Sequence, residues 1–448
     1  MKRSLFYIAF IALLMGRGVG ALHAQDYARM SERTILGTAR YVGMSGAMTA
    51  IGGDPSSVID NPAGLGLYRR SEVLLTMGGA FDKVTQAGTG SMDKRNSFLL
   101  PHASVVFSMP FNQPENDGVQ FFNFMLSYNR LQTYNRNYYA TGANERSLGA
   151  LLAGADVTWD IPFCADKYNA ENSLSLYESG YKNEYSMDFA MNISNQWYVG
   201  LGIQVQSWVM ASDALYKESF STINADGKNY DIWNESKVLF SGASCNLSVG
   251  MIYRPLSWLR IGFGLRTPTL GWAYTRTSGT LSATTDSLRY SYAPNRAGRD
   301  GGYHMPLYTS TSVAFQIGGY GMISLQYDYS HASFQDDIHS LKAGIEIVPV
   351  VGLYINAGYT YESTFKKADR IVPMDSKFDR QDTYFLQPRW TQYASVGIGY
   401  RGSFLIIQGA YQYRWQGLNL YAHENAAPYD LRGETHRFVV TIGWHHNR

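Results

Sequence analysis

From Glu72 onward, apolar and polar residues alternate along the chain in runs of about ten residues or more. In one such run Leu201, Ile203 and Val205 alternate with glycine and glutamine. In another, Lys342 and Glu346 lie among apolar residues but share one phase. Because successive strand side chains point to opposite faces, each run predicts a β-strand with one apolar and one polar face.

These runs number fourteen, and many are longer than the roughly five or six residues of a strand in a soluble protein. Length and alternation together predict an all-β fold, a 14-stranded antiparallel transmembrane β-barrel whose apolar face contacts lipid. The predicted strands are Glu72–Val84, Phe98–Met109, Val119–Ala140, Glu184–Ile193, Trp197–Ala211, Val238–Tyr253, Trp258–Thr267, His304–Ile317, Gly321–His331, Ser340–Val348, Gly352–Tyr361, Thr391–Tyr400, Ser403–Trp415 and Thr435–His445.

The links between the predicted strands alternate in length, which is typical of barrels with short periplasmic turns and long external loops. Tight links include residues 194–196, 254–257 and 401–402. Longer polar links include residues 141–183 and 362–390. An even number of strands then leaves both ends of the barrel on the periplasmic side.

The stretch from Gly37 to Arg70 departs from this alternation, because it is apolar, rich in glycine and poor in charge. Its glycines would weaken a helix or a strand, so short coiled pieces joined by tight turns are expected. The sequence Asn61-Pro62-Ala63-Gly64 predicts one such turn, since an Asn side chain can bond backbone two residues on and proline presets φ. Backbone of this kind needs packing from outside itself, which predicts a compact plug held in the lumen of the barrel.

The N-terminus has the layout of a secretory signal peptide. Lys2 and Arg3 precede an apolar run, and the segment closes on small residues up to Ala24. The predicted organisation is therefore a signal peptide at residues 1–24, a plug at 25–71 and a transmembrane barrel at 72–448. An exported barrel of this type indicates the outer membrane of the cell.

Composition and motifs argue against several other functions. The 38 lysines and arginines nearly balance the 36 acidic residues, so no basic surface for nucleic acid is expected. His445 and His446 would point to opposite faces of a strand without a nearby third ligand, so no metal is expected. No nucleophile-elbow or phosphate-binding motif is present, which predicts neither an enzyme nor a cofactor. Serines together with His102 and His304 leave a hydrolase open as a third hypothesis.

Residues 146–155, in the longest early loop, form a short apolar helical pattern that contains Leu148, Leu151 and Leu152. Two interpretations fit these leucines. They pack on the rim of their own barrel, or they form an external docking helix for a protein partner.

The predicted barrel, the plug and the motif Asn61-Pro62-Ala63-Gly64 together resemble the FadL/TodX family of outer-membrane channels for hydrophobic compounds. The specific match covers Ala39–Leu67, where a glycine-rich run leads through Gly53-Asp54-Pro55-Ser56-Ser57 into the turn. The rest of the chain is similar in architecture and length.

The resemblance implies passive uptake of a hydrophobic small molecule or lipid, such as a long-chain fatty acid or an aromatic hydrocarbon. It also implies a hatch that gates the ligand, formed here by Asn61, Pro62, Ala63 and Gly64. Family members release ligand sideways through a kinked third strand, whereas Val119–Ala140 contains no glycine or proline at which a kink is easiest. A related group of barrels implies the alternative, a component or shuttle of a protein-secretion assembly of type IX.

Overall fold

A computed structural model describes most of the chain. The described residues are 31–89, 92–114, 117–144, 148, 170–221, 229–285, 289–292, 297–304, 306–331, 337–364, 383–423 and 426–445. The predicted signal peptide lies outside these ranges. No helix among the described residues is long and apolar enough to cross a membrane.

The described strands form one closed antiparallel barrel of fourteen strands, as the alternation predicts. Three of the strands are interrupted, and the pieces of each interrupted strand share one neighbouring strand, with which all of them pair. The strands are β1 Glu72–Gln86, β2 Met92–Pro110, β3 Val119–Thr133 with Arg136–Asn144, β4 Ala170–Ile193, β5 Trp197–Ser221, β6 Asn229–Leu256, β7 Leu259–Arg266 with Leu270–Thr285, β8 Arg289–Tyr292 with Ala297–His304 and Leu307–Ile317, β9 Gly321–His331, β10 Ile338–Val350, β11 Leu353–Thr364, β12 Phe385–Arg401, β13 Leu405–Tyr421 and β14 Tyr429–His445.

The first and last strands close the barrel. β1 pairs with β14 over the whole length of β1, from Glu72 opposite His445 to Gln86 opposite Leu431. This pairing removes the free first and last edges of the sheet, which lipid would otherwise have to cover.

The two faces of the barrel have the predicted phase. On β5, Ile203 points outward and is 43% exposed, whereas Gln204 points inward and is 1% exposed. The outward face carries a band of leucine, isoleucine, valine and aromatic side chains, and the inward face carries buried polar and charged side chains. This arrangement of an apolar outside and a polar inside is that of a membrane-spanning barrel.

Most strands extend further toward the long-loop end than the sequence predicts. β4 begins at Ala170 instead of Glu184, and β5 ends at Ser221 instead of Ala211. The added part of β5 exposes polar side chains such as Asp213 and Lys217 on its outer face. Hydrogen bonding between strands continues there although the apolar alternation has ended, so the loops are shorter than expected.

β3 is not the uninterrupted strand that its lack of glycine and proline suggests. It breaks at Tyr134 and Asn135, and its register with β4 already shifts between Arg130 and Gln132. Tyr134 N donates to Gly180 O of β4 across the break, at 3.0 Å. Gly180 has a φ of +132°, a conformation that favours glycine, so the irregularity is built into the neighbouring strand.

Residues 31–71, which we call the inner segment, precede β1 and consist of short helical pieces. They are an α-helix, Ala39–Gly43, and two 3₁₀-helices, Pro55–Ile59 and Pro62–Leu67. Each piece begins after a side-chain cap, from Thr38, Asp54 and Asn61 respectively, as is typical of helix N-termini.

Candidate functional site

The inner segment contacts strands on opposite sides of the barrel. Ala39 N donates to Thr441 Oγ1 of β14 at 2.8 Å, and Ser45 Oγ lies 2.9 Å from Ser395 Oγ of β12. Asn123 Nδ2 of β3 donates to Leu65 O at 2.8 Å, and on the side of the barrel opposite β14 Arg266 Nη2 of β7 donates to Ile59 O at 2.9 Å. The inner segment therefore lies against inward-facing side chains of the barrel wall, and its role as a plug stays a prediction.

The turn at Asn61 forms as the sequence predicts and is also attached to the wall. Asn61 Oδ1 accepts from Ala63 N at 3.0 Å, which is the expected bond to backbone two residues on. Its Nδ2 donates to Thr49 O at 2.8 Å and to Met251 O of β6 at 3.2 Å. One amide therefore closes the turn, joins it to the backbone of an earlier turn at Thr49 and attaches it to the barrel.

Glycines in the wall allow this turn to pack directly against the sheet backbone. Gly200, Gly250 and Gly264 are register partners on β5, β6 and β7 and form a row across the three strands. A Cβ on Gly250 would lie 1.9 Å from Asn61 Oδ1, and one on Gly264 would lie 2.0 Å from Asp60 O. No larger residue fits at these positions without moving the inner segment.

Ion pairs join the inner segment to β10. Arg40 Nε and Nη2 donate to the two carboxylate oxygens of Glu346 at 2.6 and 2.8 Å, a bidentate geometry that fixes orientation as well as charge. Asp60 bonds to Arg33 at 3.2 Å within the segment and lies 3.9 Å from Lys342 Nζ. The two β10 partners, Lys342 and Glu346, have opposite charge and sit four residues apart on the inward face.

Asp60 remains ionised in this setting. Burial alone would raise the pKa of its carboxyl, but Lys342, Arg33 and the Tyr41 hydroxyl outweigh burial and hold that pKa below its ordinary value. Burial and the charge of Asp60 raise the pKa of Tyr41, so its hydroxyl stays protonated and donates to Asp60 at 2.7 Å.

Beside this cluster lies a cavity of about 60 Å³. Its lining residues are Arg33, Thr34, Ile35, Tyr41, Asp60, Tyr308, Asp328, Ser330, Ile338, Ser340, Lys342 and Glu362.

A seam separates β2 from β3 toward the long-loop end. The two strands pair from Pro110 opposite Phe121 up to His102 opposite Asn129. Beyond that point residues 92–99 pair with β1, and residues 130–144 pair with β4. Pro101 lies at the first position of the seam and has no N–H to donate, so it helps to end the ladder.

Arg95 bridges the upper part of the seam. Its Nη1 donates to Asn137 Oδ1 of β3 at 3.1 Å and to Glu178 O of β4 at 2.8 Å. The Arg95 side chain thus links β2 to β3 and β4 in a part of the seam where the backbones of β2 and β3 do not pair.

The N-terminal end of the inner segment lies at the base of the seam. Thr34 N donates to Leu131 O at 3.0 Å, at the place where the register of β3 shifts. Glu32 accepts from Gln132 Nε2 at 2.7 Å and from Arg136 Nη2 at 3.2 Å. The inner segment therefore forms hydrogen bonds with the part of β3 that does not pair with β2.

An apolar cluster fills the long-loop end of the barrel above the inner segment; we call it the external cluster. Above its break, β3 crosses toward β1 and β14, and Gln86 of β1 exchanges two hydrogen bonds with the backbone of Thr141 at 2.6 and 2.9 Å. The cluster consists of Val84, Tyr138, Ala140, Leu148, Leu174, Leu176, Ala214, Tyr216, Ile232, Leu281, Tyr384, Leu418, Leu420, Ala422, Ala426, Tyr429 and Leu431.

Leu148, from the predicted docking helix, belongs to this cluster. Its side chain is buried, and its backbone N–H donates to Glu218 Oε2 at 2.9 Å. Leu151 and Leu152 lie outside the described residues. Leu148 thus packs inward on its own barrel, and the docking role of the loop stays a prediction.

Several residues of the site carry no local sequence signal. Arg40 and Asp60 are isolated charges in the inner segment, and their partners on β10 lie about three hundred positions away. The shared phase of Lys342 and Glu346 on a lumen-facing strand was the one available signal. Among the described residues, no group of three or more His, Cys, Asp or Glu side chains is arranged to hold a metal ion.

Solved structures of outer-membrane channels share this fold. A crystal structure of a Pseudomonas aeruginosa FadL homologue matches with a TM-score of 0.59 at 14% identity, over 92% of this chain and 99% of that chain. The Pseudomonas putida toluene transporter TodX matches with a TM-score of 0.53 at 11% identity, with the same coverage of both chains. The Ralstonia pickettii toluene transporter TbuX matches with a TM-score of 0.52 at 11% identity, again over 92% and 99%. No family model and no curated protein sequence matches this chain.

Proposed function

We propose that this chain, an outer-membrane β-barrel with the fold of the FadL and TodX channels, takes up hydrophobic small molecules passively. The observation that carries the proposal is the external cluster, a set of buried apolar side chains at the long-loop end that includes residues of β3 above the seam. Long-chain fatty acids and aromatic hydrocarbons are the ligand classes that pack against such side chains.

The driving force for capture is the burial of apolar surface, at about 0.8 kcal/mol for each methylene. The external cluster offers that burial, whereas the lumen wall below it is lined by polar and charged side chains such as Gln204, Asp328 and Glu346. An apolar molecule that moved down the lumen would lose the gain it made on entry. The seam offers a sideways path from the cluster to the apolar band that faces lipid.

In this proposal the inner segment acts as a hatch whose two parts have different tasks. The turn Asn61–Gly64 holds the segment in place, because it packs on the wall glycines and is bonded to Met251 O. The N-terminal end moves, because its bonds at the base of the seam, such as that from Thr34 N to Leu131 O, go to a part of β3 that does not pair with β2. Ligand in the external cluster would favour the arrangement in which this end releases β3.

Uptake by intact cells tests the proposal, since the lipopolysaccharide leaflet blocks hydrophobic compounds that cross simple bilayers unaided. We expect a Gram-negative host without its own channel for such compounds to accumulate a labelled fatty acid or toluene when it expresses this protein. Leu176→Asp places a charge in the external cluster and should abolish the gain, while Leu176→Met keeps an apolar side chain and should preserve it. Equal accumulation in expressing and non-expressing cells would refute the proposal.

A further inference from the structure

His423 lies next to the external cluster and is a polar side chain without a hydrogen-bond partner. It follows the end of β13 and is directly preceded by Ala422, a member of the cluster. The side chain is fully buried, and neither ring nitrogen has a hydrogen-bond partner. Its ring stands edge-on to that of Tyr216, with the ring centroids 6.0 Å apart.

A buried polar group without a partner is uncommon, because it loses its bonds to water and gains none in return. Burial also lowers the pKa of His423 to about 4, so the imidazole is neutral at pH 7. A neutral imidazole has one N–H donor and one acceptor nitrogen. His423 therefore has one donor and one acceptor without partners, next to buried apolar side chains.

The charge around His423 disfavours an anionic ligand. Tyr216, which faces the imidazole, donates its hydroxyl to Glu218 Oε2 at 2.7 Å. The same carboxylate oxygen accepts from Leu148 N. A carboxylate ligand next to His423 would meet this negative charge in a site of low polarity, whereas a neutral group would not.

We propose that His423 hydrogen-bonds the hydroxyl of an otherwise apolar ligand bound in the external cluster, an inference that rests on the proposed uptake function. A hydroxyl both donates and accepts, so it matches the two unused functions of the imidazole. Phenols, long-chain alcohols and protonated fatty acids share this group. A plain hydrocarbon lacks it and would leave the imidazole unpaired.

Equilibrium binding of para-cresol and toluene to the purified full chain in lipid nanodiscs tests the inference, since the two probes differ by one hydroxyl. We expect the protein to bind para-cresol at least tenfold more tightly than toluene, beyond the ratio with which the two probes partition into empty nanodiscs. His423→Phe keeps an aromatic ring but removes both nitrogens, and should bring the ratio down to that of the empty nanodiscs without weakening toluene. His423→Gln retains a donor and an acceptor and should preserve part of the preference.

The imidazole nitrogens of the unmodified protein provide a readout that does not depend on a variant. Para-cresol should shift the ¹⁵N resonances of His423, and toluene at equal occupancy should not. An unchanged para-cresol preference in His423→Phe, or equal shifts with both probes, would overturn the role of His423 and leave the uptake function standing. Absence of binding of either probe to the unmodified protein would refute the uptake function itself.

Discussion

The side chain of Asn61 bonds to three backbone groups, Ala63 N, Thr49 O and Met251 O. Asn61→Ala removes all three bonds and leaves two buried carbonyls with one partner fewer, at a cost of about 1–3 kcal/mol. Asn61→Asp keeps the acceptor for Ala63 N but removes both donors, so it isolates the attachment to the wall. We expect both barrels to assemble, and amide exchange in residues 62–67 to accelerate more in Asn61→Ala. Exchange as slow as in the parent would show that the turn does not depend on this amide.

The wall glycines give a second prediction for a single residue. Gly250→Ala puts a Cβ 1.9 Å from Asn61 Oδ1, so the inner segment must shift or the strand must bend. Gly409→Ala on β13 is the matched control, because no atom lies within 4 Å of its added Cβ. Limited proteolysis of the folded barrels should cut the inner segment faster in Gly250→Ala than in the parent or Gly409→Ala. Equal cutting in all three proteins would mean that close packing at this point does not hold the segment.

At the level of the strand, the outward phase of β5 predicts a clear asymmetry. Ile203→Arg places a charge on the lipid face, at a cost of about 2–4 kcal/mol near the middle of the membrane, and Ile203→Met should be nearly neutral. A charge at the neighbouring inward position Gln204 is not a suitable control, because this side chain is buried and bonded to Asp188 and Ser248. The free energy of unfolding of both variants can be measured by urea titration of refolding into vesicles. Equal values for Ile203→Arg and Ile203→Met would refute the proposed orientation of β5.

The seam gives a prediction for β2 and β3 as elements. Arg95→Met keeps an extended side chain but loses the bonds to Asn137 and Glu178 O, so the upper part of β3 should open more often. The neighbouring Lys94 is exposed, and Lys94→Met serves as the control. Amide exchange in residues 136–144 should accelerate in Arg95→Met and not in Lys94→Met. Identical exchange in both would show that Arg95 does not hold the seam.

The strands were predictable because their signal is local, whereas the seam was not. Lipid on one side imposes a period of two on β5, β10 and their neighbours, and a short window of sequence reveals it. The break in β3 has no such signal, since the residues that accompany it are Pro101 on another strand, Gly180 across the sheet and Thr34 in the inner segment. For the same reason the turn at Asn61 was predictable, but its bond to Met251 O, 190 positions away, was not.

For the whole molecule, the structure separates a polar lumen wall from the apolar external cluster. The inner segment is joined to the wall by hydrogen bonds on several sides and by the pair Arg40–Glu346. The external cluster and the seam lie toward the long-loop end, above the inner segment. We therefore expect the barrel to admit hydrophobic solutes and to exclude polar ones.

Parallel uptake of a labelled hydrophobic compound and a labelled small sugar tests this central claim most directly. The measurement compares intact cells that express the full chain with cells that express a folded barrel lacking residues 37–66. We expect the full chain to admit the hydrophobic compound and to exclude the sugar. We expect the deletion to admit the sugar, because residues 37–66 no longer fill the lumen. Sugar entry through the full chain, or sugar exclusion by the assembled deletion barrel, would contradict the central claim.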